Sequence, residues 1–171
     1  SPPPAEAATT VTRYTYRIIN SYPHDTNAFT QGLIYVDGVL YEGTGLYGQS
    51  TLRRVALATG EVEQRVDISP DLFGEGVTLF GNRLFQLTWQ GQVAFVWDVE
   101  MFAPLGSFPY PTEGWGLTHD GSQLMMSDGT EIIYFRDPET FAEIGRISVQ
   151  ENGQPVRRLN ELEFINGEIF A

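Results

Sequence analysis

Four chemically unlike residues stand at one position of a sequence repeat: Gln31, Glu75, Trp115 and Asn160. Each precedes by two residues the apolar residue that opens a short β-rich run. A structural repeat keeps its packing residues alike, so packing alone does not explain an amide, a carboxylate, an indole and a second amide. Polar groups with different hydrogen-bonding abilities, gathered on one axis, are typical of a small-molecule site.

Aromatic residues accompany this polar set. Phe29 and Phe73 stand two residues earlier in the first two units, and Trp89 lies on the second strand predicted for unit two. Taken singly, Glu75 in the string FGEG is more often a solvated turn glutamate, and an isolated tryptophan is usually a core residue. The shared register is what favours a site with an aromatic wall over these ordinary interpretations.

The repeat itself begins with four similar strings, LIYVDGVLY, VTLFGNRLF, LTHDGSQLM and LEFINGEIF, which open at Leu33, Val77, Leu117 and Leu162. The openings lie 44, 40 and 45 residues apart. Each string fits one hairpin template in which a turn pair separates two apolar segments. The turn pairs are Asp37-Gly38, Gly81-Asn82, Gly121-Ser122 and Asn166-Gly167, which suit two-residue turns with positive φ.

Two more β-rich runs follow the hairpin in each complete unit. The first covers residues 54–57, 95–98 and 134–137, and the second covers residues 62–68, 103–108 and 142–149. Four short strands in about 40 to 45 residues predict one blade of a β-propeller. A sandwich of hairpins is the alternative, but a sandwich has no need of a fixed period.

The segment from Val11 to Ile19 alternates branched or aromatic residues with polar ones. We expect it to form a strand that completes the last blade, since a propeller commonly closes its ring with its N-terminal strand. Residues 1–10 are rich in proline and alanine and predict a disordered tether, so residues 11–171 are predicted to form the propeller domain.

Charge and composition narrow the class of protein. The ten bases are all arginine and stand against 22 acids, for a net charge of −12, which disfavours nucleic acid and anionic membranes as partners. No apolar run approaches the length of a membrane span. The tether resembles the remnant of a cleaved signal peptide, so we expect an exported protein, periplasmic or extracellular.

No metal-ligand spacing is present. The chain lacks cysteine, and its two histidines, His24 and His119, are far apart in sequence. We therefore predict no required cofactor, while a structural ion in the central channel stays an open alternative that the sequence does not support.

Seven ordered motifs resemble the plant and bacterial type of glutaminyl-peptide cyclotransferase. They are AFTQGL, LYEGTGLYGQSTLR, FGEG, QLTW, EGWGLT, MSDG and LNELE, and the resemblance runs from about His24 to the end of the chain. It implies a five-bladed β-propeller that converts the N-terminal glutamine of a peptide or protein into pyroglutamate, with release of ammonia and without a metal.

The resemblance also implies roles for the residues that the repeat selects. The catalytic carboxylate, a general base and then a general acid, falls on Glu75. Its hydrogen-bonding partners fall on Gln31, Trp115 and Asn160, and the aromatic pocket falls on Phe29, Phe73 and Trp89. Indole and amide N–H groups of the partners are candidate donors to the developing oxyanion. Glu42, in the LYEGTG motif, is expected to support the site from the next strand.

Two other classes compete with this interpretation. A non-catalytic propeller that serves as a binding module would keep the repeat, but would have no reason to hold the four unlike residues together. A lactonase-like propeller hydrolase would gather carboxylates or histidines around a metal, and these positions do not supply them.

Length sets a further expectation. The 171 residues accommodate about three blades and the first hairpin of a fourth, and the family's later blades carry a tryptophan and a lysine without counterparts here. We therefore expect a fragment that is neither stable nor competent alone, and a monomer when complete. An open ring leaves sheet edges and half a core exposed.

Overall fold

A computed structural model describes residues 11–171; the tether predicted for residues 1–10 lies outside this range. Residues 11–171 contain sixteen β-strands and no helix, so there is no helix that could cross a membrane. Twelve of the strands form three antiparallel sheets of four, each in the order of the chain. The predicted all-β propeller class is confirmed.

The three sheets correspond to the three predicted blades. The first holds β1 (Thr30–Val36), β2 (Val39–Thr44), β3 (Thr51–Ala56) and β4 (Val62–Asp67). The second holds β5 (Gly74–Phe80), β6 (Arg83–Thr88), β7 (Val93–Asp98) and β8 (Pro104–Pro109). The third holds β9 (Leu117–His119), β10 (Leu124–Ser127), β11 (Ile132–Arg136) and β12 (Glu143–Ser148).

Two hairpins complete the described chain. A short one pairs β13 (Gln150–Glu151) with β14 (Gln154–Pro155), and the last pairs β15 (Glu163–Ile165) with β16 (Glu168–Phe170). The second is the predicted first hairpin of a fourth blade. Its turn residues, Asn166 and Gly167, have φ of 52° and 89°, the mirror-image turn that suits the twist of a hairpin.

Apolar residues fill the space between successive sheets, since each strand presents alternate side chains to a neighbouring blade. Leu52, Val77 and Leu84 belong to a cluster between the first and second sheets. Phe85, Leu117 and Phe141 belong to a second cluster, between sheets two and three, and Met125, Ile133 and Leu162 to a third, which joins sheet three to the last hairpin. The innermost strands β1, β5, β9 and β15 are consecutive neighbours.

Glycines allow the innermost strands to approach closely. Gly32, Gly76 and Gly116 directly follow the candidate site residues of the first three units. A Cβ at Gly76 would lie 2.5 Å from the Trp115 carbonyl oxygen, which accepts a 2.8 Å hydrogen bond from the Gly76 N–H. The absence of side chains at these positions therefore sets how tightly the site residues converge.

Gly116→Ala is expected to destabilise the protein by about 1 to 3 kcal/mol, because overpacking forces backbone shifts. The new Cβ would lie 2.1 Å from the Asn160 carbonyl oxygen and 2.8 Å from the Glu161 Cα. Thermal unfolding measures the effect. Gly145→Ala on β12, whose nearest contact is Phe135 at 3.3 Å, is the control. Equal unfolding temperatures for the two variants would contradict this account of the glycine.

One local prediction is wrong and another stays a prediction. Residues 11–19 form no strand with the described residues, which contain three four-stranded sheets and two hairpins; their pairing with the last blade therefore stays a prediction. Side chains hold this segment instead: Arg13 pairs with Glu151, and Tyr14 donates to Glu168. The connection between β9 and β10 is four residues long, not two, because the Asp120 carboxylate accepts hydrogen bonds from the Ser122 and Gln123 N–H groups.

Candidate active site

The four residues of the shared repeat position meet at one end of the central channel. A cavity of about 280 Å³ is lined by Gln31, Glu75, Trp115 and Asn160, together with Phe73 and Trp89. Six of the seven residues predicted for the site itself thus line one cavity. Its volume is close to the lower end of small-molecule pockets.

Phe29, the seventh, lies at the border of this cavity. Its ring is half exposed and packs edge-on against Phe73, with centroids 6.1 Å apart. Phe29 itself lines a neighbouring cavity of about 320 Å³. Phe73 also contacts the rings of Trp89 and Tyr47, at 5.8 and 5.6 Å. Phe73 is therefore the centre of the aromatic wall, and Tyr47 is a member that the sequence did not indicate.

Two β-bulges direct the polar side chains. The pairing of β1 with β2 shifts register between Thr30 and Gly32, which leaves Gln31 as the extra residue. The pairing of β5 with β6 shifts register between Gly74 and Val77, at Glu75. A bulge re-aims a side chain away from the regular alternation of a strand. Gln31 Nε2 then donates a 2.8 Å hydrogen bond to Glu75 Oε2.

Glu75 is protonated at neutral pH. Burial raises the pKa of this carboxyl from 4.5 to about 8, the hydrogen bond from Gln31 opposes the rise, and the charge of Glu113 adds to it. Only 5% of the residue is exposed. Within residues 11–171, Oε1 has no hydrogen-bond partner, so it is the oxygen free to exchange a proton with a bound molecule.

Trp115 does not offer its N–H to the cavity, contrary to the expectation of an indole donor. Its Nε1 donates to Glu113 Oε2 at 3.0 Å, and an indole has one donor. Gln31 Nε2 donates one of its two N–H groups to Glu75. The side-chain amide of Asn160 is exposed and forms no hydrogen bond with the described residues, so both of its N–H groups remain free.

Backbone contacts fix the position of Asn160. Ser127, at the end of β10, donates from Oγ to the Asn160 carbonyl oxygen at 2.6 Å, and the Gly116 N–H donates to the same Oγ at 2.7 Å. Ser127 is fully buried. The third sheet therefore holds the segment before β15 in place, and with it the Asn160 amide.

Glu42 lies outside the cavity, on β2. It is buried, and its Oε1 accepts hydrogen bonds from Thr30 Oγ1 at 2.6 Å and pairs with His24 Nε2 at 2.9 Å. Arg53 Nη1 is 4.0 Å from Oε2. Because Thr30 adjoins Gln31, Glu42 contacts the site only through that backbone; its supporting role remains a prediction.

Two carboxyls near the cavity escaped the sequence interpretation. Glu113 accepts hydrogen bonds from both pocket tryptophans. Glu161 follows Asn160, where the other three units have glycine, and both its oxygens are buried without a hydrogen-bond partner among the described residues. Two features of the sequence could have indicated these carboxyls: the EGWG string, which contains Glu113, and the replacement of the repeated glycine by Glu161.

Residues 11–171 contain no group of three His, Asp or Glu side chains placed to bind a metal.

The geometry defines a β-propeller with a buried carboxyl, whose pKa burial raises, at the mouth of its channel. The family model described as glutamine cyclotransferase matches residues 1–171. The chain belongs to the glutamine cyclotransferase family.

Individual relatives agree with this assignment. A glutaminyl-peptide cyclotransferase from Arabidopsis thaliana is 44% identical over 156 residues, which are 90% of this chain and 49% of the relative. The crystal structure of Myxococcus xanthus glutaminyl cyclase superposes with a TM-score of 0.82 at 39% identity, over 90% of this chain and 65% of that one. The chain thus spans about half of the curated relative it matches.

More distant structures share the fold alone. The WD40 repeats of RRP9 superpose with a TM-score of 0.59 at 9% identity, over 81% of this chain and 43% of that one. WD40 repeats are four-stranded propeller blades, as are the three sheets described here.

Proposed function

We propose that the protein is a glutaminyl-peptide cyclotransferase, which cyclises the N-terminal glutamine of a peptide or protein to pyroglutamate and releases ammonia. The observation that supports this most is Glu75, a carboxyl of pKa about 8 in a small cavity with an aromatic wall. The family and the Arabidopsis relative support the same reaction.

The reaction needs one proton to move between two nitrogens. The α-amine of the substrate attacks its own side-chain amide carbon, a C–N bond forms, and a five-membered ring closes through a tetrahedral intermediate. The bond from that carbon to the side-chain nitrogen then breaks. Glu75 gives its proton to the departing nitrogen and takes one from the amine nitrogen that has bonded to the carbon, so that ammonia leaves and the carboxyl is regenerated.

The remaining side chains bind and fold the substrate. Phe73, Trp89 and Trp115 exclude water and press the flexible glutamine side chain against its own amine, which supplies part of the rate as effective concentration. The free amide of Asn160 donates to the oxygen that becomes negative in the intermediate. Gln31 holds Glu75 Oε2 and leaves Oε1 for the proton transfers.

Ammonia release from a peptide with N-terminal glutamine tests the proposal, and it is measured with the whole protein of which the chain is expected to be a part. Matched peptides with N-acetylated glutamine, which lacks the nucleophilic amine, and with N-terminal asparagine, which would close a smaller ring, are the controls. We expect release from the first peptide alone. A folded protein that binds the glutamine peptide without releasing ammonia would be a propeller binding module and would overturn the proposal.

The pH dependence of kcat/KM is expected to be bell-shaped with its maximum near pH 8. The pKa of Glu75 is about 8, and that of a peptide α-amine is about 7.7 to 8.0. When both groups are protonated the amine is not nucleophilic, and when neither is, no proton is available for the departing nitrogen. Steady-state rates with a Gln-initiated peptide measure the profile. A rate that is independent of pH from about 6 to about 10 would contradict the shuttle.

A further inference from the structure

Glu113 joins the two tryptophans of the cavity. Its Oε2 accepts hydrogen bonds from Trp89 Nε1 at 2.7 Å and from Trp115 Nε1 at 3.0 Å. Its Oε1 accepts a third, from Gln90 Nε2 at 3.1 Å. The two indoles come from different blades, Trp89 after β6 and Trp115 before β9, so one carboxylate connects the aromatic wall across the boundary between two sheets.

These contacts fix the orientation of both rings. Each indole has one donor, and both donors meet at a single oxygen atom, which leaves neither ring free to rotate without losing a charge-assisted hydrogen bond. The backbone adds to the constraint, because the Gly114 N–H donates to the Trp89 carbonyl oxygen at 3.0 Å. The planes that face the cavity are therefore set by Glu113 and by the backbone beside it.

Glu113 is ionised where Glu75 is not. Burial pushes the pKa of Glu113 upward, but the hydrogen bonds from Trp115, Gln90 and Trp89 outweigh it and hold the pKa below its usual range. The resulting charge helps to raise the pKa of Glu75. Glu161 and Tyr110 are the other titratable groups that interact with Glu75. Two carboxyls whose environments separate their pKa values are typical of acid–base sites.

We propose that Glu113 is a positioning residue of this site: its carboxylate locks the Trp89 and Trp115 rings into the wall that folds the substrate, and its charge acts on Glu75. The kinetic part of this inference rests on the proposed cyclotransferase activity. The ring-locking part rests on the geometry alone, and a spectroscopic measurement tests it without substrate.

The NMR signals of the indole N–H groups, observed in protein labelled with ¹⁵N-tryptophan, show whether Glu113 fixes the orientation of the two rings. Trp→Phe variants assign the signals of Trp89, Trp97 and Trp115. In Glu113→Ala the Trp89 and Trp115 signals are expected to shift and to exchange faster with solvent, while that of Trp97, in another cluster, stays in place. In the wild type the same two signals move together as Glu113 is protonated at acidic pH, which keeps the test valid if Glu113→Ala does not fold.

Activity measurements on two variants of Glu113 separate its role as a hydrogen-bond acceptor from the effect of its negative charge. Glu113→Ala is expected to lower kcat/KM by roughly 10- to 100-fold, because a small misplacement of substrate-orienting groups is costly. Glu113→Gln keeps an acceptor for the indoles but removes the charge that raises the pKa of Glu75, so it retains more activity than Glu113→Ala and moves the basic limb of the pH profile to lower pH. Glu100→Gln, an exposed charge at the turn after β7, is the control and changes neither.

The outcomes are distinguishable. Unchanged indole signals in Glu113→Ala, or wild-type signals that do not respond together to acid, overturn the ring-locking role. A pH profile in Glu113→Gln that matches the wild type overturns the action on Glu75. A wild type that releases no ammonia refutes the proposed function, while the indole signals still decide the lock.

Discussion

Glu75→Gln is expected to lower kcat/KM for a Gln-initiated peptide by about 10²- to 10⁴-fold, the contribution of a positioned general acid and base. The amide has nearly the same shape and still accepts the hydrogen bond from Gln31, which spans 2.8 Å in the wild type. It carries no proton that it can exchange at neutral pH. Substrate binding should therefore change little, and the loss should appear in kcat.

The same substitution is expected to stabilise the protein at neutral pH. The folded-state pKa of about 8 lies above the ordinary value of 4.5, so the unfolded chain releases this proton at a pH where the folded state retains it. Stability from the protonated carboxyl is fully present below about pH 4.5 and is lost as pH rises through about 8. At pH 7 the Gln variant should be more stable by about 2 to 3 kcal/mol.

If Glu75→Gln is inactive but more stable than the wild type, its loss of activity is due to the lost proton transfer and not to unfolding. Initial rates and denaturant unfolding measure the two effects on one preparation. Glu75→Asp, which keeps the carboxyl but shortens its reach, is the companion variant and should fall between wild type and Glu75→Gln in activity. Wild-type activity in Glu75→Gln would remove Glu75 from the mechanism.

Glu161→Gln is expected to stabilise the protein over a wider pH range than Glu75→Gln, because the pKa of Glu161 is about 9 and that of Glu75 about 8. Burial raises the pKa of Glu161 from 4.5 to about 9, the charge of Glu163 adds to the rise, and the Leu33 N–H, which lies outside normal hydrogen-bond geometry, opposes it. Neither oxygen has a hydrogen bond of normal geometry with a described residue. A buried carboxyl without partners is costly to ionise, because nothing replaces its hydration.

The direction of the effect follows from proton linkage. Below about pH 4.5 Glu161 is protonated in both states and the variant should match the wild type. Between about 4.5 and 9 only the unfolded chain releases the proton, so wild-type stability falls by about 1.4 kcal/mol per pH unit. The variant escapes this loss and should be about 3 kcal/mol more stable at pH 7.

Urea unfolding at several pH values measures the difference between Glu161→Gln and the wild type. Glu100→Gln again serves as a control, because it removes one exposed negative charge without relieving any burial. Its stability difference should be small and independent of pH. A Glu161→Gln variant that is less stable than the wild type at pH 7 would contradict an unpartnered, protonated Glu161.

Periodicity made the architecture predictable from sequence. The recurrence of the hairpin template from Leu33 onward located the innermost strands, and the four-strand count per unit matched all three sheets. The N-terminal segment forms no strand among the described residues, because alternation indicates only a capacity to pair. Arg13 and Tyr14 are held by side chains, and a strand needs a partner for its backbone, which the pattern of a single segment does not contain.

The register also located the cavity but not its hydrogen bonds. Gln31, Glu75, Trp115 and Asn160 line one cavity because equivalent positions of consecutive blades lie around one axis. The sequence did not show that Glu113 takes the Trp115 N–H. That contact depends on how the segment between β8 and β9 folds across two sheets. A repeat describes what the units share, and Glu113 belongs to one unit only.

Conversion of a Gln-initiated peptide to its pyroglutamate form, followed by mass spectrometry with wild type and Glu75→Gln in parallel, tests the central claim most directly. With the wild type we expect the peptide to lose the mass of one ammonia and its free N-terminal amine. With the folded Glu75→Gln protein we expect almost no conversion over the same time. No conversion by folded wild type, or equal conversion by both proteins, would contradict the assignment of Glu75 as the proton shuttle of a glutaminyl-peptide cyclotransferase.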